Sequence, residues 1–427
     1  MTDTDPDRST IEESSRPLPL APLIAITAAM AISMTIEYLP GGLLPLMGEE
    51  FDVSYSQLGL LISVFAGVVV VTALPIGWVT QRASRKGLLL TALGLIAISS
   101  ALVAVVPTFE SVLAARALGG AAHGLFFSIA AAYVAQLVPR EQLGRAISMT
   151  ALGGTIATIA GTPIGNLLGQ LLGWRVSFGV MGIVAAMSLV AALLLVPSVA
   201  HLRNRATLAR PTPTPASTPT PRHDGQVDPS RRPVLAIAVV LALVIASATS
   251  FGTYSVAWYL GPGDFEALMI PPMLLISALV GAGGLALTAR FSDRYPTTVL
   301  TVASAGLVLS FVALPAVSGV TAVVLLSLLF GLCWGTVPTL LQATTMRVSS
   351  DENRTFAGAV QVTAINVGVG AGAIIGGQVI HWVGLELLPL VSGLMLFVGA
   401  AAAVLLDRRL RRAGPVVLSA TKLGGMR

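Results

Sequence analysis

Glu37 is the one carboxylate of the chain that falls deep inside an apolar segment, and Arg116 is the one base that does so. The other acids stand in polar tails, loops or segment ends. An ionisable group in hydrocarbon is costly, so its presence there points to carrying a proton or ion, or to contacting a substrate. A carboxylate held between burial, which favours its neutral form, and a nearby arginine, which favours its charged form, can load and release a proton as access alternates. Glu37 has a plainer alternative. It can pair permanently with Arg116, or cap a turn broken by Pro40. Arginine suits a permanent charge because it does not deprotonate. Its own alternative is to snorkel outward, since it lies near the start of its segment. Arg116, Gly120, His123 and Phe127 share one helical face. His123 can relay protons or bond a substrate, or serve as a hydrogen-bonded packing residue. Met30 and Met34 share the face of Glu37 and are candidates, with His123, Phe127, Tyr254 and Asn366, to line a substrate cavity.

The elements that must position these residues are membrane helices. Hydrophobic residues make up 55% of the chain and charged ones 11%, against about a quarter charged in a soluble domain. Apolar runs of about 20 residues, each long enough to cross a bilayer, recur at 20–46, 57–79, 87–106, 111–137, 145–172, 175–196, 234–260, 266–289, 297–315, 320–345, 355–381 and 385–406. The predicted fold class is an all-α integral membrane protein of twelve transmembrane helices in two pseudo-symmetric six-helix bundles. With both termini in the cytoplasm, 23 of the 25 Lys and Arg residues lie inside, leaving Arg175 outside and Arg116 within the membrane. The expected location is therefore the cell membrane, multi-pass.

The same residues exclude several classes. The basic residues are spread over inner loops without interleaved aromatics, so no nucleic-acid partner is expected. Cys333 is alone and the four His are scattered, so no disulfide or metal site is expected. Neither Lys86 nor Lys422 sits in a phosphate-binding loop. The chain is not expected to be an enzyme or to need a cofactor. Its energy should come from a proton gradient, and its partners are a small-molecule substrate, protons and lipid. A single copy is expected to suffice. The first residues lack the basic start and apolar core of a signal peptide.

Domain organisation follows composition. The chain divides into a polar tail at 1–19, a first bundle at 20–197, a Pro/Thr-rich cytoplasmic linker at 198–232, a second bundle at 233–406 and a basic tail at 407–427. The halves echo each other. Thr80 to Lys86 resembles Thr288 to Arg294, Gly169 to Trp174 resembles Gly377 to Trp382, and Gly120 to Gly124 resembles Gly331 to Gly335. Duplicated halves place a binding site near the midplane.

The fifth segment carries Gly161, Gly165 and Gly169, a flat face for close helix approach, with Pro163 to bend it. The eleventh repeats the device with Gly368, Gly372 and Gly376. The turns after segments 2 and 8 hold Gly77, Arg82, Arg85, Lys86, Arg290, Asp293 and Arg294. These can latch one conformation at helix ends, although topology alone accounts for their sign. Trp258 and Tyr259 fit an outer aromatic belt.

Ile36 to Pro45, Arg116 to Gly124, Gly161 to Gly165 with Gly173-Trp174-Arg175, and Asn366-Val-Gly368 resemble the major facilitator superfamily. More narrowly they are similar to the twelve-helix drug:proton antiporter family in its arabinose-efflux-permease-like branch. The resemblance implies a proton-driven rocker-switch exporter of small molecules such as drugs, sugars or nucleosides, with Glu37 as the proton-linked acid, Arg116 tied to coupling, and an antiporter motif around Pro163. Gln81 and Ser84 depart from the superfamily loop pattern, whereas Asp293 with Arg294 keeps it. Proton-coupled uptake and a non-transporting membrane sensor are the alternatives.

Overall fold

The computed structural model describes residues 18–79, 84–198, 228–350 and 353–412, apart from the side chains of 73–79, 140 and 355. The first tail up to residue 17, the linker at 199–227, the last tail from 413, and Arg82 of the loop motif lie outside the described residues.

Eleven described helices are long and apolar enough to cross a membrane, and Pro296–Val312 is a shorter apolar one. In chain order these are α1 Leu20–Phe51, α2 Leu60–Val79, α3 Arg85–Val105, α4 Phe109–Leu137, α5 Leu143–Leu172, α6 Trp174–Leu195, α7 Arg231–Leu260, α8 Ile270–Phe291, α9 Pro296–Val312, α10 Val320–Val348, α11 Arg354–Val383 and α12 Leu388–Arg412. Their outward residues are apolar. Leu194, Val239 and Val302 are largely exposed, as expected of side chains that face lipid rather than water.

Local chemistry sets the ends and breaks. Ser54 and Gln57 form a reciprocal cap on the turn leading into α2. Thr108 and Ser111 do the same for α4. In α5, residues Ala157–Gly161 form a π-helical turn just before Pro163. A proline cannot donate to the turn behind it, and a wider turn absorbs that loss. The apolar run at 234–260 predicts an unbroken seventh segment. Instead α7 is interrupted between Gly252 and Ser255. α12 runs past the predicted end at 406 to Arg412, and Asp407 pairs with Arg411 one turn later in that extension. α5 ends at Gly173 and α11 at Gly384, both in the left-handed conformation that glycine tolerates.

The chain forms two compact units. One holds helix α1 up to Glu37, Val71–Gly165 and the chain from Arg175. The other holds Tyr38–Val70, Asn166–Trp174 and the chain from α7 onward.

Glycines determine how the helices of each unit meet. A Cβ on Gly153 would press on the Thr27 carbonyl and the Ala31 amide of α1, and one on Gly161 would overlap the Thr35 side chain. Further along the same helices, a Cβ on Gly169 would overlap Leu43. In the second unit, Gly368, Gly372 and Gly376 of α11 lie against the carbonyls of Ala242, Ala246 and Ser250 in α7. All six pairs keep one sequence separation, so α5 on α1 and α11 on α7 share one parallel register. Small residues let backbones approach where lipid gives no hydrophobic drive for helix association. Gly165 contributes its carbonyl, which accepts from the Ser177 hydroxyl at 2.7 Å. Gly372→Ala should lower the melting temperature of purified protein, because its Cβ would strike the Ala246 backbone. Gly358→Ala, on the same helix with nothing within 4 Å, should leave it unchanged or raise it. Equal melting of the two variants would contradict the packing account.

Trp258 and Tyr259 are not an outer belt. Both are buried, in an aromatic cluster with Phe251, Phe311 and Phe265. The Tyr259 hydroxyl bonds Ser327 at 3.0 Å, and Trp258 donates to the Glu386 carbonyl. A buried Tyr or Trp needs such a partner for its polar end.

Candidate functional site

The site begins with a defect in α1. Pro40 has no N–H, so the carbonyl of Ile36 loses its intrahelical donor, and the ring pushes that carbonyl aside. In a membrane an unsatisfied carbonyl costs several kcal/mol. Arg116 of α4 supplies the missing donor. Its Nη1 donates to the Ile36 carbonyl at 2.9 Å and its Nη2 to the Glu37 carbonyl at 3.2 Å. Arg116 is only 1% exposed, so it does not snorkel. The fork geometry of a guanidinium lets one side chain serve two adjacent carbonyls.

The side chain of Glu37 leaves the same turn and is itself buried. Its Oε2 lies 3.5 Å from Nε2 of His123. Ser33, one turn earlier on α1, places its hydroxyl 3.0 Å from the other ring nitrogen, Nδ1. Each ring nitrogen thus has a polar neighbour, and the tautomer decides which of them carries the hydrogen. The imidazole is held further by Phe127, stacked at 4.3 Å and 21°. Ser33, Glu37, Arg116 and His123 thus meet in one unit, with an acid, a titratable ring and a fixed cation in contact through α1 and α4. Such a cluster can hold a proton on either the carboxylate or the ring while the guanidinium stays charged. Ser33 was not singled out from the sequence. It lies four residues before Glu37, on the same helical face, and that spacing was the available signal.

The remaining candidates are distributed more widely. Met30 and Met34 are half-buried and lie against the glycine pair Gly153 and Gly154 of α5. Phe127 is half-buried beside His123. Tyr254 is fully buried in the other unit, and its hydroxyl donates to the Ala373 carbonyl at 2.7 Å. It stands at the break in α7, reaches Gly59 and Gly377 with its hydroxyl, and packs edge-on against Tyr55. Asn366 turns back to bond the Val362 carbonyl of its own helix at 3.0 Å. Among the loop-motif residues, Gly77 lies within α2, and Arg85 is exposed at the start of α3. Lys86 caps the end of α6 through the Leu193 carbonyl at 2.9 Å. Arg290 and Arg294 lie over the rings of Phe291 and Tyr295, with Asp293 exposed on the same turn.

A second buried acid emerges at the end of α12. Asp407 is 3% exposed and accepts from Arg411 Nε at 2.8 Å, Arg347 Nη2 at 3.4 Å and Thr297 Oγ1 at 2.6 Å. It ties α9, α10 and α12 together, and its charge is matched by the two arginines. Among the described residues, no group of His, Cys, Asp and Glu is arranged to hold a metal ion.

The family model of the Major Facilitator Superfamily matches residues 26–354, a stretch that contains the whole α1–α4 cluster. The chain belongs to the major facilitator superfamily. It is therefore a multi-pass membrane transporter and not an enzyme. Relatives in this superfamily include the probable sugar efflux transporter of Mannheimia succiniciproducens, 28% identical over 85% of this chain and 88% of that protein. The probable sugar efflux transporter of Helicobacter pylori is 28% identical over 90% of this chain and 94% of its own length. A crystal structure of a bacterial homolog of the human lysosomal transporter Spinster superposes with a TM-score of 0.70 at 15% identity, covering 92% of this chain and 98% of that one. At that identity the match speaks for the superfamily fold alone.

Proposed function

We propose that the chain is a proton-coupled exporter of small molecules in the cell membrane, with both termini in the cytoplasm. The supporting observation is the buried Glu37, in contact with His123 and seated on a turn that Arg116 completes. An ionisable pair at membrane depth is costly to retain unless it is used. A proton entering from outside would neutralise Glu37, and its departure to the cytoplasm would restore the charge. One charge crossing 100 mV is worth roughly 2.3 kcal/mol, enough to export cargo against a gradient of about fiftyfold. Two further considerations narrow the cargo. Among the described residues the buried acids are Glu37, which carries the proton in this reading, and Asp407, which arginines already neutralise, so a strongly cationic cargo finds no second buried counter-charge there. The named activity of the relatives, probable sugar efflux, favours neutral, hydroxyl-rich molecules over drugs or nucleosides.

Alternating access requires a contact that opens. The contact between α2 and α11 is suited to that role. Ser63 donates to the Gly370 carbonyl at 2.9 Å, and Gly59 and Gly377 leave room for the Tyr254 hydroxyl. In a Cys333→Ser background, cross-linking Ser63→Cys to Gly370→Cys should abolish counterflow of labelled sugar in vesicles, and a reductant should restore it. Full counterflow in the cross-linked protein would contradict the gate. Absence of counterflow for every sugar, nucleoside and drug tested in the uncross-linked protein would instead favour a ligand sensor.

A further inference from the structure

A cavity of about 340 Å³ lies between α8, α9 and α10, remote in sequence from the α1–α4 cluster and independent of what the protein exports. Its walls are Gly284, Phe291, Tyr295, Val302, Leu332 and Cys333, among other residues. Gly284 stands in the wall where α8 lies directly against the Leu332 carbonyl of α10, an approach that a Cβ would block. Four lining residues carry a hydroxyl, Thr288, Tyr295, Thr298 and Thr336. Thr288 and Thr336 are spent on one another at 2.7 Å, with Thr288 also bonding the Gly284 carbonyl. Tyr295 and Thr298 stand at the end where α9 begins, so the slot beyond them offers little to orient a solute. Small-molecule sites carry a few placed polar groups for that purpose.

The rim differs from the interior. Phe291 and Tyr295 line the cavity and are each about half exposed. A guanidinium lies over each ring: Arg290 at 5.9 Å from the Phe291 centroid and Arg294 at 5.3 Å from that of Tyr295. Two arginines where a membrane helix ends mark the bilayer surface, where such side chains meet headgroups. From that end to Gly284 is two helical turns, about 10 Å into the hydrocarbon. Leu287 and Val302 beside the cavity are exposed, so it is open to the lipid phase. Asp293 is exposed on the same turn, so the turn carries a small net charge. Selection there must come from a phosphate close to the guanidinia rather than from long-range attraction.

We infer that this cavity is a binding site for an anionic phospholipid, one acyl chain filling the apolar slot and the phosphate held by Arg290 and Arg294. The direct test is native mass spectrometry of the full chain ejected from vesicles of equal phosphatidylglycerol and phosphatidylcholine. The wild type should retain one phosphatidylglycerol in clear preference. The double variant Arg290→Gln/Arg294→Gln should lower that retention by roughly tenfold, since each basic group near the surface contributes to anionic lipid binding. Ala303→Phe, which fills the slot, should remove it. Unchanged retention in the arginine variant, or equal retention of both lipids by the wild type, would overturn the assignment. The arginine pair is exposed, so that variant should fold, and its retention read alongside a wild-type melting curve decides the matter even if Ala303→Phe does not fold.

Discussion

Glu37→Gln is expected to abolish proton-driven accumulation while leaving counterflow of cargo intact. The amide keeps the size and hydrogen-bonding reach of the carboxyl but cannot exchange a proton. It still meets His123, where the carboxylate lies at 3.5 Å from Nε2. The Arg116 bonds go to the backbone carbonyls of Ile36 and Glu37 and do not depend on the side chain at position 37. The fold should therefore survive, with melting close to that of the wild type. Counterflow needs only binding and alternating access, so it should persist when coupling is gone. Gradient-driven accumulation at wild-type levels by Glu37→Gln would remove Glu37 from the proton path.

Arg116→Ala is expected to cost more, through the backbone as well as through charge. Truncation would leave the Ile36 carbonyl without a donor, because Pro40 cannot supply one. Stripping a partner from a buried charge-assisted network costs about 3–5 kcal/mol. It would also leave Glu37 without its neighbouring cation. Activity should fall further than in His123→Ala, where the turn of α1 stays satisfied. A specific control separates the backbone role from the charge role. In Pro40→Ala the Ile36 carbonyl regains an intrahelical donor, so removing Arg116 in that background should destabilise the protein much less. A thermal-melting cycle over the four variants measures the coupling. Equal cost of Arg116→Ala in both backgrounds would show that the Ile36 contact carries no energy. Arg116→Lys should rescue only part, since an ammonium is a point charge and cannot fork across two carbonyls.

Glu37, Arg116 and His123 were legible in the sequence because charge and imidazole stand out against apolar runs. What the spacing did not convey was the division of labour. Pro40 reads as a broken turn that Glu37 can cap, but the guanidinium of Arg116 caps it, and the carboxylate meets His123. A one-dimensional pattern places residues on a face of their own helix and says nothing of which neighbouring helix supplies the donor. Trp258 and Tyr259 show the same gap. An aromatic pair near a segment end reads as an interfacial belt, whereas here the pair follows the break at Thr253 and Tyr254 and packs onto Phe251, which in turn meets Phe311. Glycine faces were the most readable feature, because close helix approach has few other solutions in lipid. The stripe at Gly368, Gly372 and Gly376 meets α7 turn by turn. Asp407 reads from the sequence as a segment-end acid, yet it joins three helices.

The central claim is that cargo leaves as a proton enters through Glu37. Acridine fluorescence of the pH gradient in inside-out vesicles tests it directly, with sugars added one at a time to wild-type and Glu37→Gln protein. The account predicts a sugar-dependent collapse of the gradient in the wild type and none in the variant. A collapse of equal size in both would contradict it.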